Sequence, residues 1–205
     1  MKKGFALTLG LLFFNILLAY SQELDSLTLE VNTVESRELL DFYRFEEINY
    51  FKTRLYGEGI GNQYFVLTSS EYWSGEPVKV DTIANTKLFG MKNGSDTIAI
   101  RVMSKKINPD TVKFQFHLPR FSTTKKFPTT TNETYSLRDI TSNQQQKFAT
   151  TQSIDILVYS LPYEDPERPG YLFYCELSRN GIPPEKWGEK FGVEHYIVFK
   201  LQLIV

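Results

Sequence analysis

Cysteine is almost missing. Cys175 is the only one in 205 residues, so no internal disulfide can form and the fold has to rest on its core. Histidine is nearly as scarce. His117 and His195 stand alone, outside any close-spaced set of His, Cys and acidic residues of the kind zinc takes. The acidic stretch Tyr163 to Gly170, "YEDPERPG", lacks the alternating oxygen ligands of a calcium loop. There is no GxSxG elbow, phosphate loop or dinucleotide fingerprint. The sequence therefore predicts neither metal nor cofactor. An excess of one charge is missing too: 23 basic residues face 24 acidic ones, interspersed, for a net charge of -1. That balance gives no reason to expect nucleic acid or an anionic membrane as partner. Beyond residue 19 no apolar run approaches the roughly 20 residues of a membrane span.

What is present begins with an export signal. Lys2 and Lys3 precede an apolar run from Phe5 to Ala19, and Ala19-Tyr20-Ser21 places small residues before Gln22. This is the pattern of a cleavable signal peptide over residues 1–21, with one β-rich domain expected over 22–205. Cys175 is far from the cleavage point, so the lipid-bearing cysteine of a lipoprotein is missing. The expectation is a secreted or periplasmic chain of bacterial type, without a transmembrane segment after cleavage.

Strand patterns dominate the remainder. Ile98, Ile100 and Val102 alternate with polar or small residues, as do Val112, Phe114, Phe116 and Leu118, and at the C-terminus Ile197, Phe199, Leu201, Leu203 and Val205 share one face. The fold class predicted is all-β, an antiparallel β-sandwich with one or two short helices, an up-and-down barrel being the alternative. Asn93-Gly94 suits a type I′ turn between a strand at 86–92 and one from Ser95. A three-residue loop, Asn108-Pro109-Asp110, would set Ile107 opposite Thr111 and Val102 opposite Phe116. Ser36 offers a helix cap before "RELLDFYRFEE", but the apolar face there is imperfect. In "GIPPEKWGEKFGVEHY", 181 to 196, the prolines, Glu185 and Gly192 outline a short helix over 183–191. Residues 121–152 are rich in Thr, Ser, Asn and Gln, and read as a long polar loop with at most one edge strand.

Functional residues follow from aromatics and carboxylates. Aromatic residues make up 15% of the chain, and Tyr72-Trp73 falls in "SSEYWSGE", read as a polar turn that would expose both rings. Trp187 is read either as a buried plug, paired with Phe191 on one helical face, or as an aromatic platform for a sugar or peptide. Tyr72, Trp73 and Trp187 are thus the candidate ligand-binding residues of a non-catalytic binding protein of the cell envelope, its partner a glycan or another envelope protein. The alternative is a β-sandwich glycoside hydrolase. If the strands around Asp155 and Glu176 form a hairpin with Ile154 opposite Leu177, the two carboxylates face each other, as acid and nucleophile or base would. Four triplets, Asp25-Ser26-Leu27, Asp81-Thr82-Ile83, Asp96-Thr97-Ile98 and Asp110-Thr111-Val112, resemble an O-glycosylation acceptor pattern of some Gram-negative envelope proteins. The competing reading, which we favour, is that each marks a turn followed by a strand.

Overall fold

The structure is a computed structural model that describes residues 26–140, 146–149, 152–165, 167–174, 177 and 181–205. In chain order the elements are β1 (Ser26–Asn32), α1 (Arg37–Phe45), β2 (Asn49–Tyr56), β3 (Tyr64–Trp73), β4 (Glu76–Asn85), β5 (Thr97–Asn108), β6 (Thr111–His117), β7 (Ser122–Pro128), β8 (Ser136–Asp139), β9 (Gln146–Ala149), β10 (Ile154–Ser160), β11 (Tyr163–Glu164), β12 (Leu172–Phe173), α2 (Trp187–Phe191) and β13 (His195–Ile204). One sheet has the order β7-β6-β5-β2-β1-β9 and the other β4-β3-β13-β10-β8, with β11-β12 a small ribbon. Every pairing is antiparallel. The two large sheets pack face to face as a sandwich.

The alternating rows explain why they do. Ile98, Ile100 and Val102 of β5 and Val112, Phe114 and Phe116 of β6 are 0–1% exposed, because period-two patterning puts all of them on one face. Val102 lies opposite Phe116, as the patterning requires. Phe199 of β13 crosses the gap to Phe114 at 4.9 Å and Phe116 at 5.4 Å between ring centroids. Phe114 also meets Tyr159 of β10 edge-on at 5.2 Å. This aromatic contact between the sheets is the middle of the core. Val205, past the end of β13, is exposed.

The turns depart from expectation in instructive ways. Asn108 pairs directly with Thr111, leaving a two-residue turn, Pro109-Asp110, and the parity is restored by a bulge at Ile107 rather than by a longer loop. Asn93-Gly94 is not a hairpin turn. Residues 86–89 form a 3-10 turn, and the N–H groups of Asn93 and Gly94 instead bond the carbonyls of Gln63 and Gly61. The adjacent pair with positive φ is Ser74 (50°) and Gly75 (85°), joining β3 to β4, as the twist of a tight hairpin demands.

The polar segment 121–152 is not one loop but carries β7, β8 and β9, which end the two sheets. An edge strand has one side in water, so polar side chains suit it. Helix α1 does form: the Ser36 hydroxyl accepts from the Leu39 N–H at 3.3 Å, though none of its residues is buried. A 3-10 turn (Pro184–Lys186) leads into α2, which ends at Gly192 with φ 65°. Among the described residues, no helix is long and apolar enough to cross a membrane.

Candidate functional site

At one end of the sandwich the inward rows of four strands change character together. In β5 the row runs Ile98, Ile100, Val102, Ser104, Lys106; in the paired β2 it runs Leu55, Thr53, Phe51, Asn49. Across the gap β3 runs Phe65, Leu67, Ser69, Glu71, Trp73, and β13 runs Leu203, Leu201, Phe199, Ile197, His195. Each row begins aliphatic or aromatic and finishes polar, or at a Trp beside a His. An interior that turns polar toward one mouth is the ordinary anatomy of a ligand site.

A chain of three buried polar side chains lies there. Tyr135, just before β8, bonds His195 Nδ1 through its hydroxyl at 2.7 Å, and the Thr130 N–H donates to the same oxygen at 3.2 Å. His195 Nε2 lies 3.5 Å from Glu71 Oε1, which also accepts from Trp73 Nε1 at 2.8 Å. Burial lowers the His195 pKa to about 4, so the ring is neutral. Nε2 makes no hydrogen bond, but the carboxylate beside it favours the proton there, with Tyr135 donating to Nδ1. Burial likewise raises the Tyr135 pKa, outweighing the Thr130 hydrogen bond. The hydroxyl stays protonated. Trp73 caps the group, stacked on His195 at 4.0 Å.

Outside this chain opens a cleft of about 410 Å³, walled by Tyr43, Arg44, Glu47, Asn49, Lys106 and Glu133, with Tyr135 and Tyr159 among its lining residues. Those two tyrosine rings stack at 5.1 Å with planes 8° apart. Helix α1 supplies Tyr43 and Arg44 because its C-terminal turn leads straight into β2, and Tyr43 is fixed by stacking on Tyr50 at 5.5 Å. Lys106 donates to the Thr130 and Asn132 carbonyls at 3.2 and 2.9 Å and stands 3.8 Å from Glu133. Two cations, two carboxylates, an amide and three phenol rings thus meet around one opening. Two hydroxyls at the same end, Ser104 Oγ and Thr129 Oγ1, are buried without a hydrogen-bond partner.

The residues singled out from the sequence are placed differently. Tyr72 and Trp73 are consecutive residues of β3, not a polar turn, and so face opposite sides of the sheet. Tyr72 is 5% exposed and stacked on Tyr196 at 4.8 Å on the outer face; Trp73 faces the cleft end. Trp187 is 1% exposed, donates Nε1 to the Ile182 carbonyl at 3.0 Å and leans on Tyr196. It is the plug over the outer face. Asp155 is on that face as well, 3.3 Å from Lys200, which also bonds Glu185. Burial raises the Asp155 pKa, and Lys200 only partly offsets this. Asp155, Pro184 and Trp187 wall a smaller pocket of about 280 Å³.

The hairpin that would have paired Asp155 with Glu176 is not formed. Both sides of β10 are taken, by β13 and by β8, while Tyr163 and Glu164 pair with Phe173 and Leu172. Glu176 and Cys175 lie outside the described residues. Tyr72, Trp187 and Asp155 are thus brought to one face of the sheet, and Trp73 to the other. His195, which the sequence marks only as standing outside any metal-binding set, makes the buried hydrogen bond to Tyr135, and Tyr135, Tyr159 and Lys106 were not anticipated. The β5 row ending in Ser104 and Lys106 was the signal that could have found the cleft. Among the described residues, no group of three or more His, Cys, Asp or Glu side chains is placed to hold a metal ion. Comparisons with protein-family models, curated proteins and solved structures give no match.

Proposed function

We propose that the chain is an exported, non-catalytic binding protein of the bacterial cell envelope, and that it takes a glycan in the cleft beside Tyr135. One observation carries this reading: the cleft sets the half-buried Tyr43 ring at its mouth, over a floor of the buried Tyr135 and Tyr159, among a balanced set of donors and acceptors, Arg44 and Lys106 against Glu47 and Glu133. A sugar offers apolar ring faces to aromatic rings and hydroxyls to both charges, and needs no net charge of its own. A strongly anionic or cationic ligand would meet as much repulsion as attraction here. The signal peptide supports the envelope placement, and the abundance of aromatics suits sugar stacking.

The test uses Arg44 and Glu47, which line the cleft at the exposed end of α1 and contribute little to folding. Calorimetric titration with oligosaccharides cut from envelope polysaccharides should give binding that weakens about ten-fold or more in the R44A/E47A variant, as expected for the loss of two charged hydrogen-bonding groups. Equal affinity of variant and parent for every bound oligosaccharide would remove the cleft as the site. The absence of any sugar binding by the parent would remove the glycan.

A further inference from the structure

At the opposite end of the sandwich a well-fixed turn holds apolar side chains in water. The 3-10 turn after β4, Thr86–Phe89, is pinned by the buried Thr86, whose Oγ1 accepts from the Phe65 N–H at 2.9 Å and donates to the Phe65 carbonyl at 3.2 Å. The Asn85 side chain caps the Lys87 N–H at 3.1 Å, and the Met91 N–H closes on the Thr86 carbonyl at 2.9 Å. So braced, the turn cannot fold inward over the side chains it presents. Leu88 and Phe89 are 79% and 61% exposed. Phe89 meets Phe121 of the β6–β7 loop edge-on at 5.9 Å, and a narrow crevice between the two loops is walled by Met91 and Pro119 together with Lys92 and Arg120.

The cations matter because of where they stand. Lys87 lies in the turn itself and donates to the Val205 carbonyl at 2.6 Å; Lys92 and Arg120 stand on the flanking loops, Lys92 leaning over the Tyr64 ring at 5.9 Å. The carboxylates near this end, Glu58 and Asp96, belong with the adjacent loop, Asp96 lying beside Gly61. A chain of net charge -1 thus carries a local apolar tip among three basic residues. Exposed Leu and Phe on a turn surrounded by Lys and Arg match a surface whose outer layer is anionic and whose next layer is hydrocarbon.

We propose that this tip docks on an anionic lipid bilayer, with Leu88 and Phe89 entering at headgroup depth and Lys87, Lys92 and Arg120 meeting the lipid phosphates. Sheet direction then turns the cleft away from the bilayer. The inference does not depend on what the cleft binds. Burying each apolar side chain is worth on the order of ten- to a hundred-fold in partition, and each basic residue near the surface about five-fold.

Vesicle co-sedimentation of the exported chain tests it, with phosphatidylcholine vesicles compared with vesicles of equal parts phosphatidylethanolamine and phosphatidylglycerol. The parent should bind the anionic vesicles. L88S/F89S should bind about ten-fold or more weakly, and K92E/R120E should lose most of the preference for anionic lipid, both with unchanged circular dichroism and unfolding midpoint. All three proteins start at Gln22, so the apolar run 5–19 takes no part in vesicle binding. Failure of the parent to bind, or equal binding by parent and L88S/F89S, overturns the proposal. So would a parent dimer, seen in analytical ultracentrifugation, that L88S/F89S abolishes while vesicle binding is unaffected, since the tip would then belong to a second copy of the chain.

Discussion

Single residues decide how the two ends of the molecule are closed. A Cβ placed on Gly188 would come 2.1 Å from the Gly75 Cα and 2.3 Å from its nitrogen, so the start of α2 rests directly on the β3–β4 turn. Backbone cannot yield as a side-chain tip can. Gly188→Ala should cost at least the roughly 1–3 kcal/mol typical of overpacking, read as a lower urea midpoint, while Gly90→Ala, where a Cβ meets nothing, tests φ strain alone and should cost less. His195 sets a pH dependence. Its folded pKa of about 4 lies below the unfolded value of 6.5, so between these values the unfolded chain binds the extra proton and stability must fall with pH. The full effect is present above pH 6.5 and amounts to about 3 kcal/mol at most, less whatever Glu71 returns by attracting the imidazolium. Urea titrations at pH 7.5, 6 and 5 should show the decline in the parent and a shallower one in His195→Gln, which has nothing to titrate; parallel profiles would show that the buried ring is not its source.

Elements were legible in proportion to how one-sided their surroundings are. β5 and β6 each bury one face and wet the other, so alternation alone placed Val102 opposite Phe116. β3 was missed because both of its faces are covered over its last residues: the core and the cleft chain lie on one side, and Tyr196 and α2 on the other. "SSEYW" therefore has no period to detect. β7, β8 and β9 were missed for the opposite reason, their exposed edges making them polar. The Asp-Thr-apolar triplets mark strand starts at Ser26, Thr97 and Thr111, but Thr82 falls in the second half of β4. Helix α1 depends on its cap because it buries nothing. Ser36→Ala should cost about 1 kcal/mol, felt as faster amide hydrogen exchange within 37–45 rather than as a change in the global unfolding midpoint. The cleft residues of α1 would loosen with it.

Across the whole molecule, the sandwich was readable and its polarity from end to end was not, since that depends on which residues four separate strands bring level with one another. The register shows one mouth lined by tyrosines and mixed charges and the other finished by an apolar tip among cations. Average charge and composition conceal both. The strand order β4-β3-β13-β10-β8 also governs the time at which the fold can exist. β13 is made after every other strand described and yet lies in the middle of its sheet, pairing along its length with β3, which was made more than half a chain earlier. Until residues 195–204 are available, β3 and β10 have nothing between them, and the facing sheet has only half a surface to pack on. Folding with such distant pairings is slow and all at once, so a chain truncated after Glu194 should give the circular dichroism of an unordered polypeptide. A nascent chain therefore remains slack until synthesis has passed β13, however early β3 and β10 are made.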